Sequence, residues 1–208
     1  MARMAPWLKL YRDIFTAGDF LYRMGWSPAT SGEISIRLKE DLIAISAAGR
    51  EKHLLSERDI ISLDLKGEGK HTRLHPPAGA PVHAALYQLD ENINAILHFQ
   101  TVETAVLPRL IKDDYMLLDG WDMQNTLIEG DDEFADYAMR VFDGNQSPKV
   151  LAEQLRTSWQ IEPLNAGFIV RGAGLYVWGK SMEEAQRRAE ALEFLMSCEL
   201  ELRKAGGS

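Results

Sequence analysis

A histidine and an amide two residues apart are the side chains of this sequence most suited to chemistry. His98 and Gln100 follow an apolar run at residues 93–97 that predicts a short strand. Side chains two residues apart in a strand point to the same face. Imidazole titrates near neutrality and can act as a nucleophile or general base, while an amide can donate to a developing oxyanion. The pair predicts acyl-transfer or carbonyl-addition chemistry on a small substrate.

Acidic and aromatic side chains are candidates to complete such a site. Glu33 or Asp122 would orient the imidazole, or act as a base if desolvated. Phe99, Trp121 or Trp178 would stack on an aromatic ligand. The alternatives stay open, because each aromatic side chain could pack in the core and His98 could have no present role.

Hydrophobic periodicity places these residues in an alternating order of strands and helices. The predicted helices are 7–24, 81–89, 101–110, 123–127, 148–158 and a last one that starts after a capping box of Ser181 and Glu184. The predicted strands are 34–38, 42–46, 60–65, 93–98, 137–142 as an edge strand, and 168–170 with 175–178 as a hairpin. This order predicts an α/β fold with a mixed central sheet flanked by helices, in one domain spanning 1–208.

Charge and composition restrict the partners. Lys and Arg number 23 against 31 Asp and Glu, and this net charge of -8 repels nucleic acid and anionic membrane surfaces. No stretch is long and apolar enough to span a membrane or to act as a leader. The single Cys198 excludes an internal disulfide. We therefore expect a cytoplasmic protein with a small-molecule ligand.

Five segments carry a resemblance to a known family, in the same order along the chain: residues 25–32, 48–52, 95–98, 171–179 and 191–195. They resemble the class II aldolase and adducin family, and within it the methylthioribulose-1-phosphate dehydratase branch. The resemblance implies a three-layer fold, a homotetramer, and a zinc-dependent lyase of methionine salvage. Such an enzyme removes water from a phosphorylated ketose through an enediolate that the metal stabilises.

The resemblance also implies zinc ligands in a His-x-His pair and in an Arg-Gly-His-Gly turn. His98 keeps the first position, but Gln100 and Ala173 stand at the other two. Catalytic zinc needs three protein ligands, so we expect neither a metal ligand set nor any other cofactor. Of the other histidines, we expect His83 to be a packed or surface residue on its helix. His53, His71 and His75 lie in predicted loops.

Further departures fall where the family binds substrate. Asp122 and Asn125 take the positions of a glutamate acid/base and a lysine, and Gly79 and Ala80 replace a carboxylate and a hydroxyl. The phosphate-binding residues implied by the resemblance, if that function is retained, are Thr30, Ser31, Gly32, Arg50 and Lys52. Glu33 replaces an amide beside them and argues against phosphate. The smaller residues enlarge a pocket that Gly79, Ala80, Phe99, Trp121, Asn125 and Ala173 would line.

Three hypotheses follow from these departures. The first is a dehydratase scaffold with a rebuilt, metal-free pocket, including the interpretation that the chain is an engineered enzyme using His98 and Gln100. The second is a catalytically silent binding or assembly protein. The third is the native zinc dehydratase, with ligands other than those identified above.

Overall fold

The computed structural model describes residues 6–69, 73–118, 120–127 and 137–206. The acidic segment 131–133, for which the sequence predicts a solvent-facing loop, lies outside the described residues, and so does His71.

Strands and helices alternate along the described chain, as predicted. The helices are α1 Pro6–Arg23, α2 Ala80–Leu89, α3 Val102–Leu110, α4 Pro148–Ile161 and α5 Met182–Lys204. The strands are β1 Glu33–Lys39, β2 Leu42–Ser46, β3 Ile60–Asp64, β4 Ala95–Phe99, β5 Tyr115–Leu118, β6 Tyr137–Phe142, β7 Gly167–Val170 and β8 Gly174–Gly179. The predicted helix at 123–127 is a 3₁₀ turn, Asp122–Thr126.

All eight strands form one mixed sheet in the order β3-β2-β1-β4-β8-β7-β6-β5. Neighbouring strands are antiparallel except β6 and β7, which are parallel. The predicted edge position of β6 is wrong, because β5 pairs with its outer side. Strand β5 escaped sequence analysis because its four residues are all apolar and carry no alternation, although Tyr115 and Leu117 are exposed.

Helices cover both faces of the sheet and divide its core into two apolar clusters. Helices α1 and α5 pack on the face that receives Ile34, Leu97 and Val177. Helices α2 and α4 pack on the face that receives Ile96 and Trp178. Because successive strand residues point to opposite faces, β4 sends alternate side chains into each cluster. The predicted three-layer architecture is confirmed.

The start of α5 shows how closely local sequence determines a helix end. The Ser181 hydroxyl accepts a hydrogen bond from the Glu184 backbone N–H at 3.2 Å, as the predicted cap requires. The Glu184 carboxylate accepts instead from the Lys180 backbone N–H at 2.6 Å, one residue before the cap.

Among the described residues, no helix has both the length and the apolar content that a membrane crossing requires.

Candidate functional site

Strand register brings three polar side chains into one row across the sheet. Glu33 on β1 pairs with His98 on β4, and His98 pairs with Tyr176 on β8. We call Glu33, His98 and Tyr176 the polar row. Their side chains lie on the α2 side of the sheet, and all three residues are less than a tenth exposed.

Glu33 and His98 form a buried ion pair. His98 Nδ1 is bonded to Glu33 Oε2, and Glu33 Oε1 accepts from the Gly79 backbone N–H at 3.2 Å. Burial raises the pKa of Glu33, but the attraction of His98 and its hydrogen bond outweigh burial and bring it to about 2. Burial lowers the pKa of His98, and the Glu33 charge outweighs that effect and raises it. Each group therefore favours the charged form of the other.

Gly79 leaves room for this pair beside its own backbone donor. A Cβ atom there would lie 2.9 Å from the Tyr176 hydroxyl and 3.0 Å from Glu33 Oε2. The absence of a side chain at this position therefore leaves space for the Glu33 carboxylate rather than for an open cavity.

Two N–H groups converge on the carbonyl oxygen of Ala173. His98 Nε2 donates to it at 2.8 Å, and Gln100 Nε2 donates to it at 2.9 Å. A carbonyl oxygen only accepts, so Nε2 carries a hydrogen, and Nδ1 is held by the Glu33 carboxylate. The ring then has no free lone pair. The expected role of His98 as nucleophile or base does not fit this arrangement, in which the ring is a hydrogen-bond donor.

The same contacts show that the residues present do not fit a catalytic zinc ion. Such an ion needs three ligands with free lone pairs. His98 could offer one nitrogen by releasing its Nε2 proton, but Gln100 directs its amide nitrogen inward and the Ala173 side chain is a methyl group, so two ligands are missing. Within the described parts of the chain, no group of three His, Cys, Asp or Glu residues could hold a metal ion.

The predicted pocket residues divide between the two faces of the sheet. Gly79, Gln100 and Ala173 meet at the polar row, as expected, and Ala80 is buried at the start of α2. Phe99 lies on the opposite face, fully buried and stacked on Trp26 with ring centroids 4.8 Å apart. It belongs to the core, because it neighbours His98 in a strand whose side chains alternate.

A second group of predicted residues lies away from His98 within this chain. The 3₁₀ turn Asp122–Thr126 packs against α5, on the far side of the sheet from His98. Trp121 packs against the apolar cluster there, while Asp122 and Asn125 are exposed. The structure therefore does not bring Asp122 to the imidazole that it was expected to orient. Trp178 shares the α2 face but is 4% exposed and packs near Trp159.

The residues expected to bind phosphate do meet, although both of their cationic side chains already have partners within the protein. Lys52 is 2% exposed, and its ammonium donates to the Thr30 carbonyl at 2.8 Å and the Arg50 carbonyl at 3.0 Å. The Arg50 guanidinium pairs with Asp59 at 3.2 Å. Burial lowers the pKa of Lys52 against the opposing effect of Glu33.

The loop before β1 approaches the site closely. Gly32 has φ +83, and a Cβ atom there would lie 2.5 Å from the His98 carbonyl oxygen. The neighbouring Ser31 hydroxyl is buried, with no hydrogen-bond partner among the described residues. This loop therefore contacts the backbone of β4 at His98.

Sequence analysis missed a second polar system beside the row. His83 is fully buried, with Nδ1 2.7 Å from the Ser35 hydroxyl, which in turn lies 2.9 Å from the Tyr87 hydroxyl. Burial lowers the pKa of His83 to about 4, although Glu33 opposes this, so its ring is neutral at pH 7. Two spacings could have indicated the system, since Ser35 shares a strand face with Glu33, and residues 83 and 87 share a helix face.

Of the remaining described histidines, His75 lies in a loop, as expected, whereas His53 lies in the 3₁₀ helix Lys52–Leu54 rather than in a loop. His53 is exposed and stacks on Tyr22 with ring centroids 3.8 Å apart, and His75 is exposed.

Comparison with known proteins gives a consistent family. The Class II Aldolase and Adducin N-terminal domain model matches residues 12–200. The methylthioribulose-1-phosphate dehydratase of Marinobacter nauticus is 38% identical over 191 residues, covering 91% of this chain and 92% of that protein. That of Azotobacter vinelandii is 35% identical over 199 residues, covering 96% and 97%.

Solved structures agree on the fold. L-fuculose-1-phosphate aldolase from Thermus thermophilus has a TM-score of 0.77 at 20% identity, with 97% of each chain covered. Another L-fuculose 1-phosphate aldolase has a TM-score of 0.78 at 20% identity, covering 95% of this chain and 87% of that one. None of these matches supports the interpretation that the chain is engineered.

Proposed function

Because the chain belongs to the class II aldolase and adducin family, we propose that it is a dehydratase-type member that binds a small phosphorylated sugar without a zinc ion. In this proposal His98 and Gln100 bind the carbonyl oxygen of the ligand.

The convergence of two donors on one oxygen carries this proposal. The Ala173 carbonyl lies 2.8 Å from His98 Nε2 and 2.9 Å from Gln100 Nε2. A ligand carbonyl that replaced it would accept two hydrogen bonds, one of them from a cation. Donors of this kind stabilise the negative charge that develops on oxygen when a proton leaves the adjacent carbon.

The position of Lys52 supports a phosphorylated ligand. Its charge is close enough to His98 to lower the pKa of that ring, and the Glu33 charge raises the pKa of Lys52 in turn. The unpartnered Ser31 hydroxyl lies in the same loop as Thr30, to which Lys52 is bonded. A phosphate at this loop would therefore sit beside the carbonyl-binding donors.

Turnover of methylthioribulose 1-phosphate by chelator-treated protein tests the proposal. We expect turnover that is insensitive to chelator, and a Gln100→Leu variant with kcat lowered by about 100-fold, the usual effect of losing one oxyanion donor. Gln154→Leu, an exposed amide on α4, is the matched control and should leave kcat unchanged. Stoichiometric zinc whose removal abolishes turnover would instead establish the native zinc dehydratase.

A catalytically silent binding protein is the second candidate, and one observation favours it. In the ligand-free site each donor of the ion pair and of Gln100 already has an acceptor within the protein. Calorimetric binding of methylthioribulose 1-phosphate, with no product formed and no effect of chelator, would identify this function.

We also propose a cytoplasmic homotetramer, as the family resemblance implies. Exposed apolar side chains support self-association: Met24, Met123 and Phe194 line a groove of about 550 Å³ and are 39–49% exposed. Light scattering on the purified protein would measure the oligomeric state.

A further inference from the structure

We infer that Tyr176 is a positioning residue for His98: its ring fixes the imidazole plane so that Nε2–H points at the oxygen that Ala173 now supplies. The inference deepens the proposed function, and its kinetic readout rests on that function. Its spectroscopic readout needs no ligand.

The two rings are stacked almost perfectly parallel. The His98 and Tyr176 centroids lie 4.0 Å apart with an interplanar angle of 4°. Register places the residues directly opposite each other on β4 and β8. A charged imidazole over an electron-rich ring gains a cation–π attraction, which is strongest where water is excluded. Tyr176 therefore favours both the orientation and the charged form of the ring.

The Tyr176 ring is itself packed against a second aromatic ring on the face away from His98. Phe168 on β7 stacks on its other face, with centroids 4.9 Å apart and an angle of 16°. The His83 ring meets it edge-on at 5.7 Å. Three parallel rings, His98, Tyr176 and Phe168, thus run across β4, β8 and β7. The imidazole cannot tilt toward β8 without displacing this column.

The effect of removing the Tyr176 hydroxyl alone distinguishes a positioning role of the ring from a hydrogen-bonding role of the hydroxyl. Burial raises its pKa and the Glu33 charge raises it further, so the phenol keeps its proton. Removing the hydroxyl while keeping the ring should leave His98 in place. Removing the ring should not.

A matched pair of stacks provides the control. Tyr22 stacks on His53 at 3.8 Å, but the angle is 27° and Tyr22 is 49% exposed. A Tyr22→Leu substitution removes a tyrosine–histidine stack of the same composition from the surface, where it should orient nothing at the polar row.

Nuclear magnetic resonance of the His98 ring N–H protons, with the ligand-free protein, tests the inference. We expect slowly exchanging signals from both nitrogens in wild type, Tyr176→Phe and Tyr22→Leu. In Tyr176→Leu the Nε2–H signal should exchange at least about tenfold faster, as a loosened hydrogen bond opens more often. A folded Tyr176→Leu variant with wild-type exchange would overturn the inference. If Tyr176→Leu does not fold, Phe168→Leu removes the support behind the ring, and unchanged exchange there has the same consequence.

Kinetics then separate the inference from the proposed function. If the protein turns over methylthioribulose 1-phosphate, Tyr176→Leu should lower kcat about tenfold with little change in KM, because the misaligned donor is needed mainly in the transition state. Tyr176→Phe should rescue it. Absence of turnover in wild type would count against the proposed catalysis, while the exchange measurement would still decide the role of Tyr176.

Discussion

The two faces of strand β4 differ in how their side chains are held. Leu97 and Phe99 enter the α5 cluster and are fully buried among apolar side chains. His98 enters the α2 face, where it meets Glu33 and Tyr176. On the first face any well-packed apolar set keeps the sheet together. On the second face each polar group needs a specific partner, which other groups of the protein supply.

Phe99→Ala should have the largest effect and should be independent of pH. Deleting a fully buried phenyl ring that stacks on Trp26 leaves a cavity and costs about 4 kcal/mol of unfolding free energy. Urea denaturation at pH 5 and at pH 8 measures it. A cost that changed markedly between these pH values would show that the α5 face is not purely apolar in its energetics.

Glu33→Gln should cost less, and its cost should depend on pH. The fall of the Glu33 pKa from 4.5 to about 2 corresponds to roughly 3 kcal/mol of stabilisation. Because the pKa of Glu33 is lower in the folded state, its ionisation stabilises the fold at pH values above 4.5. This stabilisation is lost as the pH falls from 4.5 toward 2.

The raised pKa of His98 has the opposite sign. Its contribution is complete below 6.5 and is lost as pH rises through the folded-state value. The difference between wild type and Glu33→Gln should therefore be greatest between pH 4.5 and 6.5. An exposed carboxylate substitution, Glu40→Gln, is the control, and equal pH profiles for the two variants would contradict the buried ion pair.

Lys52→Met should destabilise by an intermediate amount. It removes two charged hydrogen bonds and leaves the Thr30 and Arg50 carbonyls without their donor, at about 2 kcal/mol. Thermal unfolding compares it with Lys66→Met, which alters an exposed lysine. Equal melting temperatures for the two variants would argue that the Lys52 contacts contribute nothing.

Gln100→Leu should have the smallest effect, about 1 kcal/mol. The Ala173 oxygen keeps the His98 donor when the amide is gone. Combined with Glu33→Gln it should be non-additive, because both residues act through His98. If the two changes in unfolding free energy were strictly additive in denaturant unfolding, Gln100 would not be coupled to the polar row.

Local sequence patterns were sufficient to predict elements whose structure depends only on their own residues. Strands β1 and β2 follow from alternation, and the start of α5 follows from its capping residues. The position of β6 did not follow, because pairing with β5 is a non-local choice that no local pattern encodes.

The candidate site was predicted only in part. Gln100 and His98 share a face because strand geometry requires it, and Glu33 meets His98 as hypothesised. Asp122 was assigned to the same site but lies across the sheet. His83 was expected to be a packed or surface residue, and only the tertiary structure showed that it is buried beside Ser35.

The sequence by itself determined the α/β fold, because the hydrophobic periodicity that predicts it depends only on residue type and order. The tertiary structure alone decided that a backbone carbonyl, at Ala173, would accept hydrogen bonds from His98 and Gln100. A backbone oxygen occurs at every position, so only the close approach of the turn between β7 and β8 to β4 could select one of them.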